Sequence, residues 1–302
     1  MQPRNGRIVP EVPPINTRMN LVIDSDVANE IDDLYVITLA LAAPDRFDLK
    51  GISAAHFNNG APGAGPGSVG QSVAVACELL DAAGMTGKCQ ILRGSEPMRY
   101  YGFPSESEGA AFIIDEAKKA SPDNPLWAVI LGAATTTASA LLQEPAIAEN
   151  IRCVFHARSE YSWPERSYQF NVKGDIHAAR SLLAGNAPLI WLDTGTRLSF
   201  PYGLTKTRLA PSGGAGAYLH AYRDKNSGYA EDGKGFFDLA DICYLMRPDL
   251  CREEVVPAPA MDEMMFFDHT KWNGWMRRVY DIDVPAAREL FLGRIAAMHG
   301  GG

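Results

Sequence analysis

Leu21-Val22-Ile23-Asp24-Ser25-Asp26-Val27-Ala28-Asn29-Glu30-Ile31-Asp32-Asp33 is the stretch on which the reading of this chain turns. Residues 20–23 are an apolar-rich run bounded by polar residues, which reads as a buried strand. Behind Asp33 comes Leu34-Tyr35-Val36-Ile37-Thr38-Leu39-Ala40-Leu41, near-continuous apolar sequence that fits either a strand or a buried helix. Asp32 and Asp33 favour the helix, because carboxylates are stabilising at its positive end. Asp24, Asp26, Asp32 and Asp33, with Glu30 beside them, therefore gather at the carboxyl end of a first strand. In open α/β sheets that edge is where ligands bind. Carboxylates so crowded repel unless a cation, a proton or hydrogen-bond donors compensate them, and a hard divalent cation with oxygen ligands is the simplest solution. The plainer alternative makes Asp24 and Asp26 turn residues and Asp32 and Asp33 helix caps. An EF-hand loop is excluded, since it needs an oxygen-bearing side chain at Ala28 and glycine at Asn29.

Around this stretch lies a chain of 302 residues, enough for one large α/β domain with a sizeable core. Hydrophobic residues make up 46% and charged residues 21%, ordinary for a globular protein. A formal net charge of -8, with no basic stripe, argues against nucleic acid as a partner. The cysteines (Cys77, Cys89, Cys153, Cys243, Cys251) are scattered and odd in number, which suggests buried thiols in a reducing compartment. The proline-bearing residues 1–19 read as an N-terminal arm without a signal-peptide core, and no apolar run is long enough to span a bilayer. The expectation is a cytoplasmic protein with no membrane partner.

Strands alternate with helix-like segments, as in a mostly parallel sheet flanked by helices. Strands are expected at 49–57, 89–92, 126–131, 151–155 and 189–192, with short ones near Val255 and at 276–280. Helices are expected at 72–83, from the Ser105-Glu106-Ser107-Glu108 signal to about Ala120, from 132–137 to near Gln143, at 175–183, at 236–246 and from Val284 onward. Residues 60–70 read as a Gly/Pro/Ala loop, 193–208 as irregular, and 213–235 as a mobile helical flap carrying His220, Tyr222 and Tyr229. No interdomain linker is evident, so residues 20–302 read as a single α/β domain with a Rossmann-like core.

Two catalytic readings fit the opening acids. One is a metal site that activates water. The other is a phosphatase of the haloacid dehalogenase type, in which Asp24 and Asp26 end the first strand as nucleophile and partner. The latter needs a later lysine and acidic pair, and residues 189–193 supply only Asp193. Asp24-Ser25-Asp26 with Asp32-Asp33, Asn58 at the end of the second strand, Gly132-Ala133-Ala134-Thr135, Gln169-Phe170-Asn171 with Asp175, and Phe237-Asp238 occur in an order that resembles the inosine-uridine nucleoside hydrolases. The chain resembles more closely their divergent branch with an Asn-Glu-Ile-Asp-Asp opening motif. Better-known members have Pro-Gly in a shorter first motif, Gly-Pro-Leu-Thr at 132–135, Glu-Phe-Asn at 169–171 and His-Asp at 237–238.

The resemblance implies a nucleoside N-ribohydrolase, a homodimer or homotetramer, that uses calcium. The ion would be held by Asp26, Asp33, the backbone carbonyl of Thr135 and Asp238, and completed by a ribose diol and a water, a set that suits calcium's oxygen preference. Taken alone, Asp238 also reads as an N-cap and Asn171 as a turn residue. Asp24, Asp32, Asn58, Gln169 and Asn171 would surround the sugar. Asp26 would take the proton from the calcium-held water, while the ribosyl ring passes through an oxocarbenium-like transition state. Phe237 stands where many members have an acid histidine, so Trp163, His220, Tyr222 and Phe237 itself are the candidate leaving-group contacts. With Gln169 in place of a glutamate, the substrate extends to 5'-modified or other ribosyl compounds. A catalytically impaired ribosyl-binding protein is the alternative.

Overall fold

The computed structural model describes residues 7–60, 64, 65, 67–159, 161–225 and 227–299. Part of the expected arm (1–6), part of the expected loop (61–63 and 66), and residues 160, 226 and 300–302 lie outside the described residues. One eight-stranded sheet forms the centre, in the order β3-β2-β1-β4-β5-β6-β8-β7. These strands are β1 (Met19–Ser25), β2 (Phe47–Ala54), β3 (Gln90–Arg93), β4 (Leu126–Ile130), β5 (Ile151–His156), β6 (Leu189–Leu192), β7 (Cys251–Met261) and β8 (Phe267–Ile282). All neighbours pair in parallel except β7 and β8. The chain steps outward from β1 through β2 to β3, then resumes on the opposite side of β1 with β4. The crevice at that reversal is the position where open α/β sheets hold ligands.

The apolar run behind the opening acids is helix α1 (Asp32–Leu41), and every residue in it is buried. It packs against α9 (Leu239–Met246) and α10 (Val284–His299) as well as against β2. That coverage explains an apolar pattern with no polar face. On the two faces of the sheet, separate apolar cores form, one containing α1 and α9, the other built on α3 (Glu108–Lys119), α4 (Thr135–Gln143) and α6 (Ile176–Ala184). The Ser105-Glu106-Ser107-Glu108 signal resolves to Ser107, whose hydroxyl caps α3 by accepting from the Ala110 N–H.

Several expectations need correction. Residues 193–208 are not wholly irregular: α7 (Tyr202–Arg208) occupies their end. The short strands expected near Val255 and at 276–280 are one long antiparallel hairpin, β7 and β8, whose shifts in register at Pro257 and Pro259 break the alternation that would reveal it. A one-turn helix, α5 (Phe170–Gly174), was not expected. Within 213–235 the ordered helix is α8 (Gly214–Asp224), whose inner face, including His220 and Arg223, is buried.

The described part of the arm packs against the domain. Arg46 is buried, and its guanidinium donates to the carbonyls of Pro13 (3.0 Å), Pro14 (2.6 Å), Thr17 (2.7 Å) and Leu245 (2.7 and 3.0 Å). A buried cation is tolerated when its donors are all engaged in this way. The cysteines are free thiols. Among the described residues, no helix is long and apolar enough to cross a membrane.

Candidate functional site

At the carboxyl ends of β1, β4 and β5 lies a cavity of about 200 Å3, lined by Asp26, Asp32, Asp33 and Asp238 together with Glu30, Asn29, Leu131, Gln169, Asn171 and Phe237. Chain segments far apart in sequence supply these groups. Asp26 follows β1, Asp32 and Asp33 form the first turn of α1, and Asp238 immediately precedes α9. Neither helix uses its acids as caps: Ile31 is the cap residue of α1, and Asp238, although in the cap position of α9, makes no side-chain cap bond. The Asp238 N–H instead donates to Asp32 Oδ2 at 3.1 Å, joining the two helix starts. Asp33 Oδ1 accepts from the Ser25 hydroxyl at 2.5 Å. Asp26 Oδ2 and Asp32 Oδ1 are buried without a hydrogen-bond partner among the described residues. Buried carboxylate oxygens with no donor are costly, so their presence together marks a place prepared for a positive charge.

The backbone of β4 completes the cavity. A Cβ on Gly132 would lie 3.1 Å from Cβ and Cγ of Asp26 and 3.1 Å from Ala55 Cβ, so glycine lets the end of β4 lie directly against Asp26. Leu131, just before it, lines the cavity, and its carbonyl accepts from Asn171 Nδ2. Asn171 Nδ2 also donates to the His156 carbonyl at 3.0 Å, which ties α5 to the ends of β4 and β5. Gln169 caps α5, its side-chain oxygen accepting from the N–H groups of Asn171 (2.8 Å) and Val172 (3.3 Å).

Electrostatically the cavity is a cluster of carboxylates in low dielectric. Burial, then repulsion from Asp33, raises the Asp26 carboxyl well above its ordinary range. Burial, then Asp32, does the same to Asp238, and the same two causes push Asp33 up to about 8. Folding therefore favours the protonated carboxyls. That contribution to stability is complete below the ordinary carboxylate pKa and is lost as pH rises through about 8, the value for Asp33. The protein held in chelator is expected to melt at a lower temperature at about pH 8 than at about pH 5, and added divalent cation should raise the melting temperature more at the higher pH, where fewer protons compete. Thermal unfolding at both pH values, with and without the cation, reads this directly; a cation-induced rise that is larger at low pH would contradict it.

Among the described residues, two groups of side chains could hold a metal ion: Asp32, Asp33 and Asp238, and His156, Asp238 and Asp241. The first lies wholly on the cavity wall and is all oxygen, which suits a hard cation. In the second, Asp241 is fully buried behind the wall and engaged with His156 Nδ1 at 2.7 Å. His156 Nε2 then lies 3.4 Å from Asp238 Oδ1. His156 was not among the sequence candidates, although its place as the last residue of β5 (Ile151–His156) was a usable signal. Arg158, two residues on, lines the same cavity, and its guanidinium carbon stands 4.1 Å from the centre of the Phe237 ring. A Cβ on Gly235 would fall 2.1 Å from that ring, so the position of Phe237 depends on that glycine.

Of the sequence candidates, Asp26, Asp32, Asp33, Gln169, Asn171, Phe237 and Asp238 are brought together on the cavity wall, and the rest lie elsewhere. Asp24 is fully buried behind it, its Oδ2 accepting from the Thr137 hydroxyl (2.8 Å) and N–H (3.1 Å), and burial pushes its carboxyl up to about 6. Asn58 is exposed and its neighbour Asn59 lines the cavity instead. Thr135 is off the wall, with its hydroxyl donating to Asp175 Oδ2 at 2.7 Å. Trp163 packs against Phe267 and His269. His220 pairs with the Thr205 hydroxyl at 3.1 Å, and Tyr222 stacks on Tyr229. The flap reaches the rim through other residues: Tyr229 Oη donates to the Asn29 carbonyl at 3.3 Å, and Lys234 pairs with Glu30 at 2.8 Å.

The family profile described as inosine-uridine preferring nucleoside hydrolase matches residues 21–298. No curated protein matches the sequence. Among solved structures, the purine-preferring ribonucleoside hydrolase from Gardnerella vaginalis is 21% identical with a TM-score of 0.72, over 93% of this chain and 99% of that one. A plant nucleoside hydrolase is 17% identical with a TM-score of 0.75, over 93% and 100%. The type III effector protein XopQ, complexed with adenosine diphosphate ribose, is 13% identical with a TM-score of 0.66, over 93% and 94%. At these identities the structural likenesses speak to the fold.

Proposed function

We propose that this chain, which belongs to the inosine-uridine preferring nucleoside hydrolase family and is by that membership a nucleoside N-ribohydrolase, cleaves its substrate with a calcium ion in the acidic cavity. The observation that carries the reading is the convergence of Asp26, Asp32, Asp33 and Asp238 from separate segments, with Asp26 Oδ2 and Asp32 Oδ1 lacking a hydrogen-bond partner among the described residues. Asp26, Asp33 and Asp238 would hold the ion. The neutral carbonyl beside them is assigned to Leu131 rather than to Thr135, because Leu131 is on the cavity wall and abuts Asp26 through Gly132. Calcium takes about six to eight oxygen ligands, so these leave room for a vicinal diol and a water. When bound, the ion fixes the diol and makes that water more acidic.

The residues of the chain then have distinct tasks. Asp26, with a free buried oxygen, accepts a proton from the attacking water. Asp32 has an unpartnered Oδ1 that can accept from a sugar hydroxyl, while its Oδ2 is engaged by the Asp238 N–H. Asn171 lines the cavity with its Nδ2 held by the carbonyls of Leu131 and His156, and its side-chain oxygen would accept from a sugar hydroxyl. As the N-glycosidic bond lengthens, positive charge develops on the ribosyl ring, and the surrounding carboxylates stabilise it. The base would leave beside Phe237, whose ring already carries the Arg158 guanidinium at 4.1 Å and the Lys234 ammonium at 4.9 Å. Phenylalanine delivers no proton, and His220 and Tyr222 are off the cavity wall, which leaves solvent, the Lys234 ammonium beside the ring or the Tyr229 hydroxyl at the rim to protonate the departing base.

Phe237 also favours a second reading, a ribosyl-binding protein of the same fold with little turnover. The type III effector whose fold this chain shares is described with a bound adenosine diphosphate ribose, which keeps ribosyl compounds larger than a nucleoside within the ligand class. A panel of nucleosides, assayed for free base and reducing sugar in calcium and in chelator, separates the readings. Calcium-dependent release supports the hydrolase. Saturable binding with no release at long incubation supports the binder.

A further inference from the structure

Beside the acidic cavity lies a second one of about 360 Å3, and the two share Arg158, Gln169 and Phe170 on their common wall. Their chemistry is opposite. The first carries Asp26, Glu30, Asp32, Asp33 and Asp238. Among the described residues, the second carries no carboxylate and has Arg158 and Lys173 in its lining. Neither cation is spent on an ion pair among the described residues. Arg158 rests on the Phe237 ring at 4.1 Å, and Lys173 stands 4.5 Å from the centre of the Tyr168 ring. Thr196, also in the lining, has a buried hydroxyl oxygen with no hydrogen-bond partner. Gln169 adds a donor at the boundary: its oxygen is committed to the start of α5, and its amide NH2 is the part of the side chain that can donate. Two cations and a hydroxyl that line one cavity suit an anion with several oxygens.

We infer that this second cavity is an anion subsite, and that the substrate is a ribosyl compound bearing a phosphate on its 5' carbon. This rests on the hydrolase reading for the placement of the ribose. With the diol at the carboxylates and the base beside Phe237, C5' is the remaining substituent, and the cavity past Gln169 and Phe170 is the remaining exit. A neutral 5'-hydroxyl would leave Arg158 and Lys173 unpaired, whereas a phosphate pairs with both and separates its charge from the carboxylates by the width of the sugar.

Titration calorimetry in calcium, with inosine and inosine 5'-monophosphate, tests the inference. The C-nucleoside counterparts of both ligands, in which a carbon–carbon bond replaces the N-glycosidic bond, are titrated in their place so that neither is cleaved. The phosphorylated ligand is expected to bind at least about tenfold more tightly, with the difference shrinking as ionic strength rises. Lys173→Met should remove most of that difference and leave inosine affinity unchanged, and Lys173→Arg should retain it. Equal or weaker binding of the monophosphate overturns the subsite, as does a preference that Lys173→Met leaves intact. Base release from the unaltered protein separates this from the underlying reading. A phosphate preference without release of hypoxanthine from either ligand sinks the hydrolase and keeps the subsite. Release without the preference does the reverse, and binding of neither ligand sinks both.

Discussion

Asp26→Asn is expected to lower kcat for base release by about a thousandfold, within the range typical for loss of a general base. The amide keeps the size of the side chain and its fit against Gly132, where Cβ and Cγ of Asp26 lie 3.1 Å from the position a glycine Cβ would take. The change therefore removes a proton acceptor and a charge without opening a void. Since burial and Asp33 already raise the Asp26 carboxyl, the neutral amide should also relieve repulsion in the cation-free protein. The expected pattern is lost turnover with a melting temperature in chelator that holds or rises. Steady-state kinetics and thermal unfolding of the same preparation measure both. Retention of more than a tenth of wild-type kcat would remove Asp26 from the proposed chemistry.

Asp238→Asn should have the largest effect on the cation itself. Asp238 sits among Asp26, Asp32 and Asp33, each of which raises its carboxyl through repulsion in addition to burial. Without a cation its charge is repelled by its neighbours; in the proposed site it would be a ligand. The substitution is thus expected to raise the melting temperature in chelator at about pH 8 while abolishing most of the cation-induced increase. Calcium affinity measured by calorimetry should fall by more than about a hundredfold, since loss of a mere outer-shell partner already costs roughly ten to a hundredfold. A purely structural role predicts the opposite sign in chelator, because removing a useful buried charge would destabilise the fold. Unaltered calcium affinity would place the ion elsewhere, with His156 and Asp241 the next group to test.

The sequence by itself determined the frame: an apolar strand, acids at its carboxyl end, a buried helix behind them, and strands and helices alternating thereafter. Those features are local, written in periodicity and in the chemistry of short segments, and β1 and α1 obey them. It also supplied the acids, because Asp26, Asp32, Asp33 and Asp238 can be recognised by type and order. Which atoms face the cavity was decided only by the tertiary structure. Past β2 it is Asn59, exposed like Asn58, that lines the cavity rim, and a slip of one residue at a strand end is enough to change which side chain does so. At the end of β4 it is Leu131 that lies on the wall, while Thr135, already in helix α4, turns its hydroxyl to Asp175. His220 and Tyr222 lie on a helix whose inner face is absorbed by packing, so their chemistry gave no sign of their distance. His156 and Arg158 gain their meaning from α9 and Phe237, some eighty residues further along. Residue type is carried by the sequence, but the direction a group points is set by contacts between segments that sequence spacing does not encode.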